Sequence, residues 1–109
     1  MNLEYINNPN GHLIARLSGE MDALGCTQIR SELEQIADTE NSNNVALDLS
    51  QVSFLDSSGI GLIVFLFKRL KAQSRTLKII GVQGQPQELI KLLRIDSAIP
   101  VSTELNTGT

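Results

Sequence analysis

The side chains with the greatest chemical potential lie in the segment FLDSSGIG, residues 54–61. Asp56, Ser57 and Ser58 can each accept a hydrogen bond from the exposed backbone N–H groups at the start of a helix. A serine at such a position can also carry a phosphoryl group, because the helix dipole and its free N–H groups tolerate negative charge. The residues alone leave two interpretations open. One is structural capping, and the other is a covalent switch that adds about −1.5 to −2 charges beside Asp56.

The rest of the sequence does not indicate catalysis or metal binding. His12 is the single histidine and lies beside the turn-rich NPNG, which is typical of a surface residue. A nucleophile elbow requires G-x-S-x-G, but Leu55 stands two residues before Ser57. One cysteine, Cys26, with one histidine gives no metal-ligand spacing, and the pair Gly59 and Gly61 lacks the third glycine of a dinucleotide loop. We therefore expect no enzyme, no cofactor and no metal.

Length and composition predict a single domain over residues 1–109. With 109 residues and 41% apolar side chains, the chain can bury one core without a disulfide framework. A lone cysteine and the lack of a secretion signal favour the reducing cytoplasm. The uncharged run between Asp56 and Lys68 has 11 residues, fewer than the roughly 18–20 needed to cross a bilayer, so we expect no membrane insertion.

Charge is distributed unevenly along the chain, although the net charge is only −3. Five of the nine basic residues fall between Lys68 and Lys78. Nucleic-acid binding is not favoured, because the chain is acidic overall and has only 4% aromatic residues for stacking. We expect these cations to form the solvated end of a helix, where they complement the helix dipole.

Hydrophobic periodicity predicts eight elements in the order β-β-α-β-α-β-α-β. A hairpin is predicted on either side of NNPNG, and apolar residues at positions 29, 33 and 36 predict a helix that ends near Ala37. The following elements are a polar loop (38–44), a strand (45–49), a largely buried helix (57–72), a strand (76–81), a helix from Pro86, a short edge strand (99–101) and a polar, mobile tail from about residue 102. The order predicts an α/β fold with a mixed sheet, since strands joined by helices run parallel while the hairpin is antiparallel.

Two positions near the serines carry further expectations. Gly59 and Gly61 begin the buried helix, and we expect a bulky residue at Gly61 to overpack the contact with the sheet at a cost of about 1–3 kcal/mol. Asp22 follows a buried strand and is expected at the surface beside the serine turn. It would act there as a contact to a partner or as a helix cap.

Residues 45–71, VALDLSQVSFLDSSGIGLIVFLFKRLK, resemble the signature of STAS domains, specifically of the bacterial anti-sigma factor antagonists. The upstream LSGEMD, residues 17–22, is similar to another segment of that family, and the resemblance covers about residues 3–101. It implies that Ser57 is phosphorylated, that Asp56, Ser58 and Gly59 form the rim of the site, and that Asp22 contacts the kinase. The family usually closes with another helix, for which STELNTGT is short and polar.

The resemblance also implies a cycle in which phosphorylation controls which proteins are bound to one another. An anti-sigma factor that is a GHKL-type serine kinase phosphorylates the antagonist, and a PP2C-type phosphatase reverses the reaction. The unphosphorylated form binds the anti-sigma factor and releases the sigma factor. The alternative is a STAS subunit of an ABC-type, phospholipid-trafficking transporter that is not phosphorylated. The serine directly after Asp56 favours the antagonist.

Overall fold

A computed structural model describes residues 1–7, 12–38 and 44–104. Its elements are β1 (Asn2–Asn7), β2 (His12–Met21), α1 (Ala23–Asp38), β3 (Asn44–Leu55), α2 (Ser57–Ala72), β4 (Leu77–Ile80), α3 (Gly84–Leu92) and a 3₁₀ turn (Ile95–Ser97). The boundaries of α2 are the predicted ones, whereas β3 is longer than predicted. The hairpin turn, most of the polar loop and the tail after residue 104 lie outside the described residues.

The four strands form one mixed sheet in the order β1-β2-β3-β4. β1 is antiparallel to β2, and β2-β3 and β3-β4 are parallel pairs joined by helices. The predicted fold class and mixed sheet are therefore confirmed. The predicted edge strand 99–101 is reduced to one bridge between Val101 and Ile79, in which Ile79 bonds to the Pro100 carbonyl and to the Ser102 N–H.

One hydrophobic core lies between the helices and one face of the sheet. Alternate residues of β2, Leu13, Ala15 and Leu17, are buried in it, as the strand periodicity requires. The same cluster contains the predicted apolar face of α1 and the buried side chains of α2, namely Ile29, Leu33, Ile36, Leu62, Ile63, Leu66 and Leu70. Ile90 brings α3 into this cluster. Burial of α2 against both the sheet and α1 explains why its first half is apolar on almost all sides.

The five basic residues between Lys68 and Lys78 do not all lie in solvent. Lys68, Arg69 and Lys71 are exposed as expected, but Arg75 is only 4% exposed. The Arg75 guanidinium donates to the carbonyl oxygens of Ile36 and Ala37 at 3.2 and 3.4 Å. It therefore binds carbonyl groups at the C-terminal end of α1, which need partners after the helix ends.

An ion pair between a buried carboxylate, that of Asp48, and a partly exposed guanidinium, that of Arg16, links β2 and β3. Asp48 is 1% exposed and accepts hydrogen bonds from Arg16 Nε and from the Ser50 N–H, both at 2.9 Å. Burial alone would raise the pKa of the Asp48 carboxyl, but these hydrogen bonds and the positive charge of Arg16 outweigh it and lower the pKa. The register between β2 and β3 shifts just after this pair.

β2 and β3 end side by side, with Met21 aligned to Leu55. The Asp56 N–H donates to the Met21 carbonyl at 3.3 Å, which ties the residue after β3 to the end of β2. Because the two strands are parallel neighbours, α1 and α2 begin at the same edge of the sheet. This arrangement brings the sequence segments 20–25 and 54–61 together.

Candidate functional site

The start of α2 is fixed by a side-chain cap. Asp56 has an extended backbone (φ −122°, ψ −168°), and its Oδ1 accepts from the N–H groups of Ser58 and Gly59 at 2.9 and 3.3 Å. The first helical bond, from Ile60 N–H to the Asp56 carbonyl, measures 3.0 Å. The capping interpretation of Asp56 is thus confirmed, and the turn has a defined geometry.

Ser57 is the first residue of α2 and is exposed, whereas Ser58 is half-buried. Of the two hydroxyl groups, that of Ser57 is therefore the more accessible to the active site of another protein. Asp56 already occupies two of the N–H groups that would otherwise receive an anion. A phosphate on Ser57 would consequently lie beside a carboxylate and project towards solvent.

Gly59 packs against the sheet and Gly61 does not. A Cβ atom at Gly59 would lie 2.3 Å from Leu55 Cδ1, 2.8 Å from the Met21 carbonyl oxygen and 2.9 Å from Met21 Cβ. A Cβ atom at Gly61 would meet nothing within 4 Å, and this glycine is exposed. The prediction of overpacking at Gly61 is therefore wrong. Residues two positions apart in an α-helix point to nearly opposite sides, so only Gly59 faces the end of β2.

Asp22 caps α1 in the same way as Asp56 caps α2. Its Oδ1 accepts from the Gly25 N–H at 2.8 Å, and its carbonyl accepts from the Cys26 N–H at 2.9 Å. Gly25 was not identified from the sequence, yet a Cβ atom there would lie 2.0 Å from the Glu20 carbonyl oxygen. A glycine three residues after an N-cap aspartate is the signal that could have identified it. The cap interpretation of Asp22 is confirmed, and its contact to a partner stays a prediction.

The buried Cys26 thiol lies near both capping carboxylates. Burial raises the pKa of Cys26, and the negative charges of Asp56 and Asp22 raise it further, while Arg30 acts in the opposite direction. The thiol is therefore held protonated and inert at neutral pH. The structure brings the five predicted site residues together at one edge of the sheet: Asp22, Asp56, Ser57, Ser58 and Gly59.

The surface around this edge is acidic and partly apolar. The ionisable side chains in residues 18–22 and 54–58 are all carboxylates, those of Glu20, Asp22 and Asp56. The same two segments and their flanks expose two large apolar side chains, Leu24 at 69% in the first turn of α1 and Phe54 at 40% near the end of β3. Such a surface suits a protein partner that offers basic and apolar groups.

No cluster of three or more His, Cys, Asp or Glu side chains suited to a metal ion occurs within residues 1–7, 12–38 and 44–104. Across the same ranges, none of the helices has both the length and the apolar character needed to span a membrane.

The family model and the similar proteins agree on one family. Residues 5–108 match the family described as the STAS domain. The chain is 26% identical over 111 residues to an anti-sigma F factor antagonist of Paenibacillus polymyxa, covering 100% of this chain and 95% of the relative. It is 29% identical over 109 residues to an anti-sigma-B factor antagonist of Staphylococcus epidermidis, with 100% and 95% covered.

Solved structures share the fold. An anti-sigma factor antagonist from Mycobacterium paratuberculosis superposes with a TM-score of 0.85 at 18% identity, covering 95% of this chain and 86% of that one. The Bacillus cell fate determinant SpoIIAA in its phosphorylated form gives a TM-score of 0.72 at 19% identity, with 94% and 93% covered. At these identities the structural likeness concerns the fold.

Proposed function

The chain belongs to the STAS domain family, and from this we propose that it is an anti-sigma factor antagonist controlled by phosphorylation of Ser57. The unphosphorylated chain binds an anti-sigma factor, which is also its serine kinase, and thereby releases a sigma factor. Phosphorylation of Ser57 blocks binding, and a PP2C-type phosphatase restores it. The relatives named as anti-sigma factor antagonists cover nearly the whole chain, which supports this assignment.

The observation that carries the proposal is the placement of Ser57. Its side chain is exposed at the first position of a helix whose cap, Asp56, fixes the backbone through two hydrogen bonds. A kinase must bring a hydroxyl into line with a phosphoryl donor, so a hydroxyl on a preformed, accessible turn is a suitable acceptor. Ser58 offers the same chemistry from a half-buried position.

Phosphorylation would act on the partner surface and leave the fold intact. The phosphate adds about −1.5 to −2 charges at neutral pH next to the Asp56 carboxylate. A partner that covers Leu24 and Phe54 would have to strip water from this doubly charged group, and burying an uncompensated charge is costly. In this proposal Asp22, Asp56 and Ser58 line the contact, while the buried Gly59 holds the turn against the end of the sheet. The chain itself catalyses no reaction.

The test begins with the native partner. The wild-type chain is used to recover its bound proteins from a lysate of the native organism, and the 54–68 peptide is analysed by mass spectrometry for phosphate. Recovery of a GHKL-type kinase that phosphorylates the purified chain on Ser57 with ATP supports the proposal. Recovery of ABC-transporter subunits, with an unmodified peptide, would instead support the transporter alternative.

Three variants then separate the roles of the two serines. Ser57→Ala should bind the kinase constitutively, and Ser57→Asp should bind about 5- to 150-fold more weakly by calorimetry, at a similar melting temperature. Ser58→Ala is the matched control and should still accept one phosphate by intact mass. Phosphate on Ser58 alone, or wild-type affinity of Ser57→Asp, would refute the assignment.

A further inference from the structure

β3 extends past its neighbouring strand on one side. β4 pairs with residues 45–48 of β3, whereas β3 continues to Leu55. In the described part of the chain, no strand lies against this last stretch of β3 on the β4 side. The backbone N–H and C=O groups that this stretch of β3 directs towards the β4 side therefore need other partners.

At Leu55, the last residue of β3, a side chain of α3 makes the hydrogen bonds that a neighbouring strand would otherwise make. Gln85 Nε2 donates to the Leu55 carbonyl at 2.7 Å, and the Leu55 N–H donates to Gln85 Oε1 at 2.9 Å. A primary amide carries one acceptor oxygen and a donor nitrogen on the same plane, so it can satisfy both polar groups of a single strand residue. Gln83 makes a weaker contact five residues earlier, with a single bond of 3.4 Å to the Ser50 carbonyl.

Leu55 immediately precedes the capped turn. On the β2 side, the Asp56 N–H is bonded to the Met21 carbonyl, and on the α3 side Leu55 is bonded twice to Gln85. The backbone that carries Ser57 is thus held from both sides just before the helix begins. Pairing with β2 holds one side of the strand end, and Gln85 supplies the backbone hydrogen bonds on the other side.

We infer that Gln85 is a positioning residue for the Asp56–Ser58 turn. Its amide holds the end of β3 in place, so that Ser57 is presented in one orientation at the edge of the sheet. The consequence for phosphorylation rests on the proposed function, whereas the placement of the turn does not. Gln85 lies in the first turn of α3. Through its two hydrogen bonds to Leu55, the position of α3 therefore also affects the orientation of Ser57.

The first test uses the free protein and needs no partner. In Gln85→Met, a substitution that keeps the side-chain length and removes both hydrogen bonds, amide hydrogen exchange of Leu55 should accelerate roughly tenfold. The amide chemical shifts of Asp56, Ser57 and Ser58 should change with it. Gln85→Asn, which keeps the amide but is one methylene shorter, should show the same local loss. Gln83→Met is the matched control and should leave the turn as in the wild type.

Three results would overturn the inference. These are unchanged Leu55 exchange in Gln85→Met, equal changes at the turn in Gln83→Met, and a uniform acceleration across core amides such as that of Leu47. The last result would show that Gln85 only contributes to global stability.

A second measurement addresses the serine, with the kinase recovered by the wild-type chain. Gln85→Met should lower kcat for phosphorylation by about 10- to 100-fold with a smaller change in KM, since it misaligns the hydroxyl more than it alters the contact. A normal kcat in a variant with a loosened turn would refute the role in presentation. If the wild-type chain accepts no phosphate, the proposed function fails, while the exchange data still decide whether Gln85 positions the turn.

Discussion

Gly59 and Gly61 provide a sharp test of how α2 sits on the sheet, because alanine should have opposite effects at the two positions. Both residues lie in the first turns of the same helix, two residues apart. At Gly59 a Cβ atom would contact Leu55 Cδ1, Met21 Cβ and the Met21 carbonyl oxygen at distances of 2.3 to 2.9 Å. At Gly61 it would point into open space.

The magnitudes follow from these contacts. One of the atoms close to Gly59 belongs to the backbone and cannot move as a flexible side chain does, so Gly59→Ala should fall in the upper part of the 1–3 kcal/mol range for overpacking. The higher helix propensity of alanine returns at most about 1 kcal/mol, which leaves a net loss of about 1–2 kcal/mol. Gly61→Ala should gain about 0.4–1 kcal/mol, because nothing opposes the propensity.

Thermal and urea unfolding followed by circular dichroism measure both changes. For a chain of this length, 1 kcal/mol corresponds to about 4 °C in melting temperature, so the two variants should differ by about 6–12 °C. Gly61→Leu extends the comparison, since an exposed leucine at this position should not destabilise the protein. Equal shifts of Gly59→Ala and Gly61→Ala in the same direction would refute the placement of α2 against the end of β2.

Three further predictions concern buried or capping groups. Asp22→Ala should lower the free energy of unfolding by about 0.5–2 kcal/mol in urea titrations through loss of the α1 cap, and a variant of full stability would contradict the observed bond to Gly25. Asp48→Asn should lower the free energy of unfolding by about 1–3 kcal/mol at pH 7, because the neutral amide cannot make the charge-assisted hydrogen bond to Arg16. The pKa of Asp48 is lowered in the folded protein, so its contribution is fully present above the unfolded value near 3.9 and is lost as the pH falls through the folded value. The stability difference between wild type and Asp48→Asn should therefore begin to shrink only below about pH 4 and disappear once the pH is below the folded pKa. Cys26 should react with a thiol reagent at neutral pH only as fast as the protein opens, and rapid reaction in the native state would contradict its burial and raised pKa.

Local sequence patterns were sufficient for most of the elements. The period of α1 and the capped, apolar start of α2 depend on neighbours within a few residues, and the boundaries of α2 were predicted correctly. The edge strand 99–101 was overestimated, because a strand needs a partner along its length and here only Val101 pairs with Ile79. Asp48 is one polar residue in an apolar strand, and the sequence does not show that its buried carboxylate pairs with Arg16 of the adjacent strand as well as with the nearby Ser50 N–H.

The sequence by itself determined that Ser57 follows an N-cap aspartate at the start of a buried helix, since that signal is contained in consecutive residues. The expectation that Asp22 lies beside this turn also came from the sequence, but the contacts that surround the turn were decided by the tertiary structure. Parallel pairing of β2 and β3 brought Asp22 beside Asp56, and the end of β2 made Gly59, rather than Gly61, the glycine in close contact. Gln85, 30 residues from Leu55 along the chain, lies beside the end of β3 because α3 packs on the core. Such contacts depend on the path of the chain in space, which a local pattern of residue types does not encode.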